Sequence, residues 1–80
     1  MHELGVLLQA VKTVNRIADE NKIARIKQMT LEIGDESGFL PVFFEKLFPV
    51  AIENFPVMAE SELRMEVVKG KGLRIKEIGY

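Results

Sequence analysis

The chain has 80 residues, 48% hydrophobic and 29% charged, with one histidine, no cysteine and a formal net charge of −1. Such a length allows one small domain, and the near-neutral charge without a lysine or arginine cluster argues against a nucleic-acid surface. The absence of cysteine removes a disulfide framework, a thiol nucleophile and a thiolate zinc site, while no apolar run or charged leader suggests a membrane span or signal peptide, so a cytoplasmic protein is expected.

Met1-His2-Glu3 places the sole histidine one peptide bond from the α-amine. The amine, the His2 amide and the His2 imidazole can close fused chelate rings around one metal. A fourth donor from the Glu3 amide or carboxylate completes a square plane, and this nitrogen-rich geometry favours Ni(II) or Cu(II) over tetrahedral zinc. The same tripeptide also reads as a frayed, solvated end, with Glu3 an ordinary acidic residue at the positive end of a helix dipole.

From Leu4 the chain reads as a helix, with Leu4, Leu7, Leu8, Val11, Val14 and Ala18 recurring at helical spacing, Ala10 and Ile17 widening the stripe and Asn21-Lys22 ending it. The period then changes. Over Arg25 to Ile33, Met29, Leu31 and Ile33 alternate with Gln28, Thr30 and Glu32, which predicts a half-buried strand. Gly34 to Gly38 is turn chemistry, and its Asp35 and Glu36 read either as solvated carboxylates or as weak oxygen donors near a metal.

Pro41 suits the first position of a second helix, on which Leu40, Phe44, Leu47, Phe48, Ala51 and Phe55 share one side. Phe43 and Val50 flank one edge of this arc and Ile52 the other. The arc reads as a thick core wedge, or as a core whose overflow at Phe43 meets a partner or a second copy. Pro49 should kink or split the helix.

Asn54 to Ser61 reads as a loop. Leu63, Met65 and Val67 then alternate with Glu62, Arg64 and Glu66 as a second strand, and Leu73 and Ile75 begin a third after Lys69-Gly70-Lys71-Gly72. These two strands are expected to form a hairpin, with Glu62 and Glu66 set across from Arg74 and Lys76. Ile78 breaks the alternation and predicts a bulge near Lys76-Glu77. The expected fold is therefore a two-layer α+β domain spanning residues 1–80, in the order helix, strand, helix, strand, strand, with both helices on one face of a three-stranded mixed sheet. Met29, Leu31, Ile33, Leu63, Met65, Val67, Leu73 and Ile75 should face the helices.

Met1-His2-Glu3-Leu4 opening a helix, Leu31-Glu32-Ile33-Gly34 followed by Ser37-Gly38 and Pro41, then Leu63 to Val67 and Leu73 to Ile78, together resemble the HypA/HybF family of nickel-insertion accessory proteins. The resemblance covers essentially the whole chain. It implies a metallochaperone that loads nickel into [NiFe]-hydrogenase, and in some organisms urease, in concert with the nucleotide-hydrolysing nickel chaperone HypB. It also implies Ni(II) at Met1, His2 and Glu3. Family members carry a zinc domain with two Cys-x-x-Cys pairs between the second and third strands. Here only Val68 to Gly72 separate Val67 from Leu73, so the chain resembles the nickel-binding domain alone, with no zinc. Recognition of the hydrogenase precursor, or dimerisation, through a zinc domain is correspondingly in doubt.

Bound nickel would compete with protons for a terminal amine of reference pKa roughly 7.7 to 8.0 and a histidine of about 6.5, so it should leave at mild acid. An enzyme is not expected, since there is no second histidine, no cysteine and no carboxylate pair spaced for acid–base work. Lys69 to Gly72 lies between strands rather than before a helix and is not a phosphate loop. Two functions from different classes remain: a nickel-binding metallochaperone domain, and a metal-independent interaction module using the aromatics of the second helix or a sheet edge.

Overall fold

The computed structural model describes residues 2–80. Its first helix, α1 (Glu3–Glu20), follows the apolar stripe, with Leu7, Ala10, Val11, Val14 and Ala18 buried. Leu4, expected on the apolar stripe, is instead exposed. Asn21 caps the helix, and Lys22 adopts a left-handed φ of 56°. The Ile23 N–H then reaches the Ala18 carbonyl at 2.8 Å and the Lys22 N–H the Asp19 carbonyl at 3.3 Å, the two bonds of a Schellman termination.

The remaining elements are β1 (Gln28–Gly34), α2 (Pro41–Ala51), a short 3-10 turn at Pro56–Met58, β2 (Glu62–Val68) and β3 (Leu73–Gly79). The sheet is three-stranded and mixed, in the order β2-β1-β3. Across α2, β1 and β2 pair in parallel, with Met29 beside Leu63, Leu31 beside Met65 and Ile33 beside Val67. This is the two-layer α+β arrangement expected from the order of elements.

One expectation is corrected. β2 and β3 form no hairpin, because β1 lies between them and pairs antiparallel with β3. Lys69 to Gly72 therefore passes across the end of β1 instead of making a tight turn. Arg74 faces Glu32 in the register and donates to its carboxylate, whereas Lys76 reaches past β1 to Glu66 on β2 at 2.9 Å. The bulge falls where the broken alternation puts it. Thr30 pairs with Glu77 and Leu31 with Ile75, so Lys76 is the extra residue.

Met29, Leu31 and Ile33 on the central strand are fully shielded, while Leu63, Met65, Leu73 and Ile75 on the flanking strands pack partly buried against them. Val67 departs from its expected inward place. It is 62% exposed at the end of the β1–β2 ladder, on an edge strand.

The second helix is shorter than its apolar arc. Pro49 lacks the N–H that would bond the Glu45 carbonyl, and α2 stops at Ala51, two residues later. Ile52 becomes the cap, and Phe55 falls beyond the helix, packing against the core from the segment before the 3-10 turn. Phe44, Phe48 and Ala51 are buried, and Leu47 is only partly so. Residues outside the long helices and the strands also contribute to the core. Ile26 and Met58 are both wholly buried, with the Ile26 N–H bonded to the Val57 carbonyl at 2.9 Å and the Ser61 hydroxyl donating to the Ile26 carbonyl.

Candidate functional site

The helix-termination rules leave the first amides of α1 outside its hydrogen-bond ladder. The Val6 N–H reaches the His2 carbonyl at 3.0 Å as the first intrahelical bond, so the amides of His2, Glu3, Leu4 and Gly5 precede it. His2 is the N-cap residue, with φ −118° and ψ 31°, and its exposed imidazole makes no capping hydrogen bond. Met1 lies outside the described residues.

Glu3 behaves differently from its neighbour. Only 5% of it is exposed, although it is the first residue of the helix. Its place follows from spacing, because Glu3, Leu7, Ala10 and Val14 fall on one side of α1. Its carboxylate Oε2 lies 3.5 Å from the backbone nitrogen of Leu40, the N-cap of α2, where helix geometry concentrates positive charge. Burial raises the carboxyl pKa. The N–H groups of Glu3 itself and of Leu40 are among the groups that oppose that effect, and the net result lies below the ordinary carboxylate value.

The loop that presents Leu40 is built by the Gly34 to Pro41 sequence. The Ser37 N–H reaches the Gly34 carbonyl at 3.0 Å, Gly38 takes a φ of 83°, and the Ser37 hydroxyl accepts the Phe39 N–H at 3.2 Å. Phe39 then packs at a tilt against the buried Phe44, with ring centroids 5.6 Å apart and planes at 50°. Pro41 follows at the first helical position, where its missing N–H costs nothing.

At the other end of this loop, Asp35 is a structural acceptor. Its Oδ1 takes the Gly70 N–H at 3.0 Å, while the Gly34, Asp35 and Glu36 N–H groups bond the carbonyls of Gly72, Val68 and Gly70 at 2.7 to 2.8 Å. A Cβ on Gly34 would stand 2.3 Å from the Gly70 carbonyl oxygen, so this close approach requires glycine. Glu36 is exposed.

Of the expected donors, His2 and Glu3 are adjacent at the start of α1, but their side chains have opposite fates, one in solvent and the other in the protein. No three His, Asp or Glu side chains converge on one point among the described residues. The chelate expected from the sequence draws on an amine and backbone nitrogens as well as one imidazole, so it does not depend on such a cluster. The contact between Glu3 and Leu40 was missed in the sequence, although Glu3 sits in register with the buried stripe.

The arrangement is a two-layer domain in which Glu3, in the first turn of α1, is held against the loop leaving the central strand. The family model for hydrogenase/urease nickel incorporation metallochaperones, HypA, matches residues 1–76. The chain belongs to the HypA family. The solution structure of the Ni metallochaperone HypA from Helicobacter pylori is similar, with a TM-score of 0.87 over 99% of this chain and 97% of that one, at 15% sequence identity. That likeness is one of fold. No curated protein matches the chain. The family is one of metallochaperones rather than enzymes.

Proposed function

We propose that this domain captures one Ni(II) at Met1, His2 and Glu3 and passes it on by ligand exchange during [NiFe]-hydrogenase maturation. The donors are the Met1 α-amine, the His2 amide and imidazole, and the Glu3 amide nitrogen. The observation that carries this reading is the position of His2: its imidazole is exposed at the N-cap, beside amides that the helix does not use in its own ladder. The Glu3 carboxylate, the other donor considered, is turned toward Leu40.

A HypB-type nucleotide-hydrolysing chaperone is the proposed partner, by family membership, and the cytoplasm the proposed compartment. Among the described residues no helix is long and apolar enough to cross a membrane. The domain is further proposed to fold as one unit without zinc, since Lys69 to Gly72 closes the path from β2 to β3 and is itself hydrogen-bonded to the Gly34 turn.

Calorimetric titration with Ni(II) of protein beginning at Met1, beside His2→Ala, tests the assignment. The expected result is about one Ni(II) per chain, four-coordinate and diamagnetic, with most of the affinity lost in the variant. Equal binding by both proteins eliminates the site.

A second reading, a protein-docking role independent of metal, is favoured by the exposure of Leu40, Val42 and Phe43 on the first turn of α2. Phe43 is 39% exposed, against full burial of Phe44. Phe43→Ser should then alter sedimentation or binding to a HypB-type partner with little change in stability. Unaltered association by the folded variant removes that reading.

A further inference from the structure

Resting on the nickel assignment above, we propose that the Glu3 carboxylate is a positioning residue for nickel capture. It pins the first turn of α1 to the start of α2 and does not ligate the metal itself. Three observations converge on this role. Glu3 is a buried acid within an otherwise apolar stripe, with Leu7 one turn on at 0% exposure. Its Oε2 faces the Leu40 N–H, at the positive end of α2. The cap residue of α1, His2, contributes no side-chain hydrogen bond to the helix start, so the capping that α1 lacks from His2 is replaced by a tie from Glu3 to a second helix.

The tie leads into the rigid part of the molecule. Leu40 follows a loop held by the bond from the Phe39 N–H to the Ser37 hydroxyl and by the tilted packing of Phe39 against Phe44. Fixing Glu3 at this loop fixes the backbone that carries the Glu3 amide and, one residue away, His2. A chelate assembled from neighbouring backbone and side-chain nitrogens binds more tightly when the ordering of its backbone precedes metal binding. A carboxylate that swung out to join the nickel would leave its buried position and strip the Leu40 N–H of this acceptor. The side chain therefore serves better as an anchor than as a ligand.

The distinguishing variants are Glu3→Gln, which keeps a carbonyl oxygen for the Leu40 N–H but has no anionic donor, and Glu3→Ala, which has neither. Each is titrated with Ni(II) beside the wild type, with the visible absorption of the bound metal recorded and the amide proton of Leu40 followed by NMR in metal-free protein. Glu3→Gln should retain affinity within about twofold, and Glu3→Ala should lose roughly 10- to 100-fold, the usual effect of removing support for a metal ligand. The absorption spectrum should be the same in all three. Leu40 should resonate downfield in the wild type and in Glu3→Gln, and move upfield in Glu3→Ala.

A changed spectrum and lost affinity in Glu3→Gln would make the carboxylate a ligand and overturn the proposal. Wild-type affinity in Glu3→Ala would overturn it as well, and so would an unmoved Leu40 resonance. Should Glu3→Ala fail to fold, the spectrum and affinity of Glu3→Gln still decide. These failures leave nickel binding by the wild type intact. The nickel assignment fails separately, by an absence of wild-type binding, and takes the positioning role with it.

Discussion

The loop between β1 and α2 is tied down at both ends, but by different means. At the β1 end, three backbone N–H groups and one carboxylate bond the Val68 to Gly72 connection at 2.7 to 3.0 Å, and Gly34 is packed too closely to accept any side chain. At the α2 end, one side chain, Glu3, reaches one amide at 3.5 Å. The first junction is a continuation of the sheet ladder, and the second rests on a buried carboxylate reaching across from another helix within an apolar layer. The difference separates scaffold from site. The tight end holds the sheet together, and the looser end carries the exposed histidine and the exposed apolar residues of α2, the part of the molecule best able to exchange a ligand or meet a partner.

The largest effect should come from the core residue at the α2 end. Phe44→Ala removes the wholly buried ring against which Phe39 packs, and should cost roughly 3 to 5 kcal/mol in urea denaturation. A smaller loss would mean that the loop collapses into the space without harm to either end. Gly34→Ala breaks the tight end alone. The added Cβ meets backbone rather than a flexible side chain, so a loss of roughly 1 to 3 kcal/mol is expected, with the resonances of Lys69 to Gly72 shifting before those of Leu40.

Asp35→Ala removes only the side-chain part of that junction, an exposed bond to the Gly70 N–H, and should cost no more than about 1 kcal/mol by the same measurement. The looser end is sharpened by pH. The folded-state pKa of Glu3 is depressed, so its stabilising contribution is present above the ordinary carboxylate value and is lost as pH falls through the lower, folded value. The melting temperature of the wild type should therefore fall relative to that of Glu3→Gln as the solution is acidified below about pH 4.5. A difference that stays constant through this range would detach Glu3 from the acid response.

What could be read in the sequence divides along the same physical line. Local periodicity placed α1 and its buried stripe, and the broken alternation at Ile78 located the bulge that makes Lys76 the extra residue. The mixed sheet expected from the order of elements takes the form of a parallel crossover from β1 through α2 to β2. Strand neighbours were not legible, since Leu63, Met65, Leu73 and Ile75 alternate alike whether β2 and β3 pair with each other or with β1. The short glycine connection favoured the nearer partner, and the central strand won because it buries both of its flanks. Phe55 was assigned to α2 by a helical period that Pro49 had already ended. At the proposed site, the tripeptide reads as a chelating pattern, while the contact from Glu3 to Leu40 joins residues far apart in the chain and no local rule brings them together.

The central claim is that the chain start itself holds the metal, and blocking its amine tests it most directly. Acetylating the Met1 α-amine converts it to an amide and removes the proposed terminal ligand without supplying a new amine in its place. Calorimetric titration with Ni(II) should show about one metal per chain for protein with a free Met1 amine and a loss of most of that affinity for the acetylated protein, which should remain folded without metal. Equal nickel affinity in the two proteins would contradict the account.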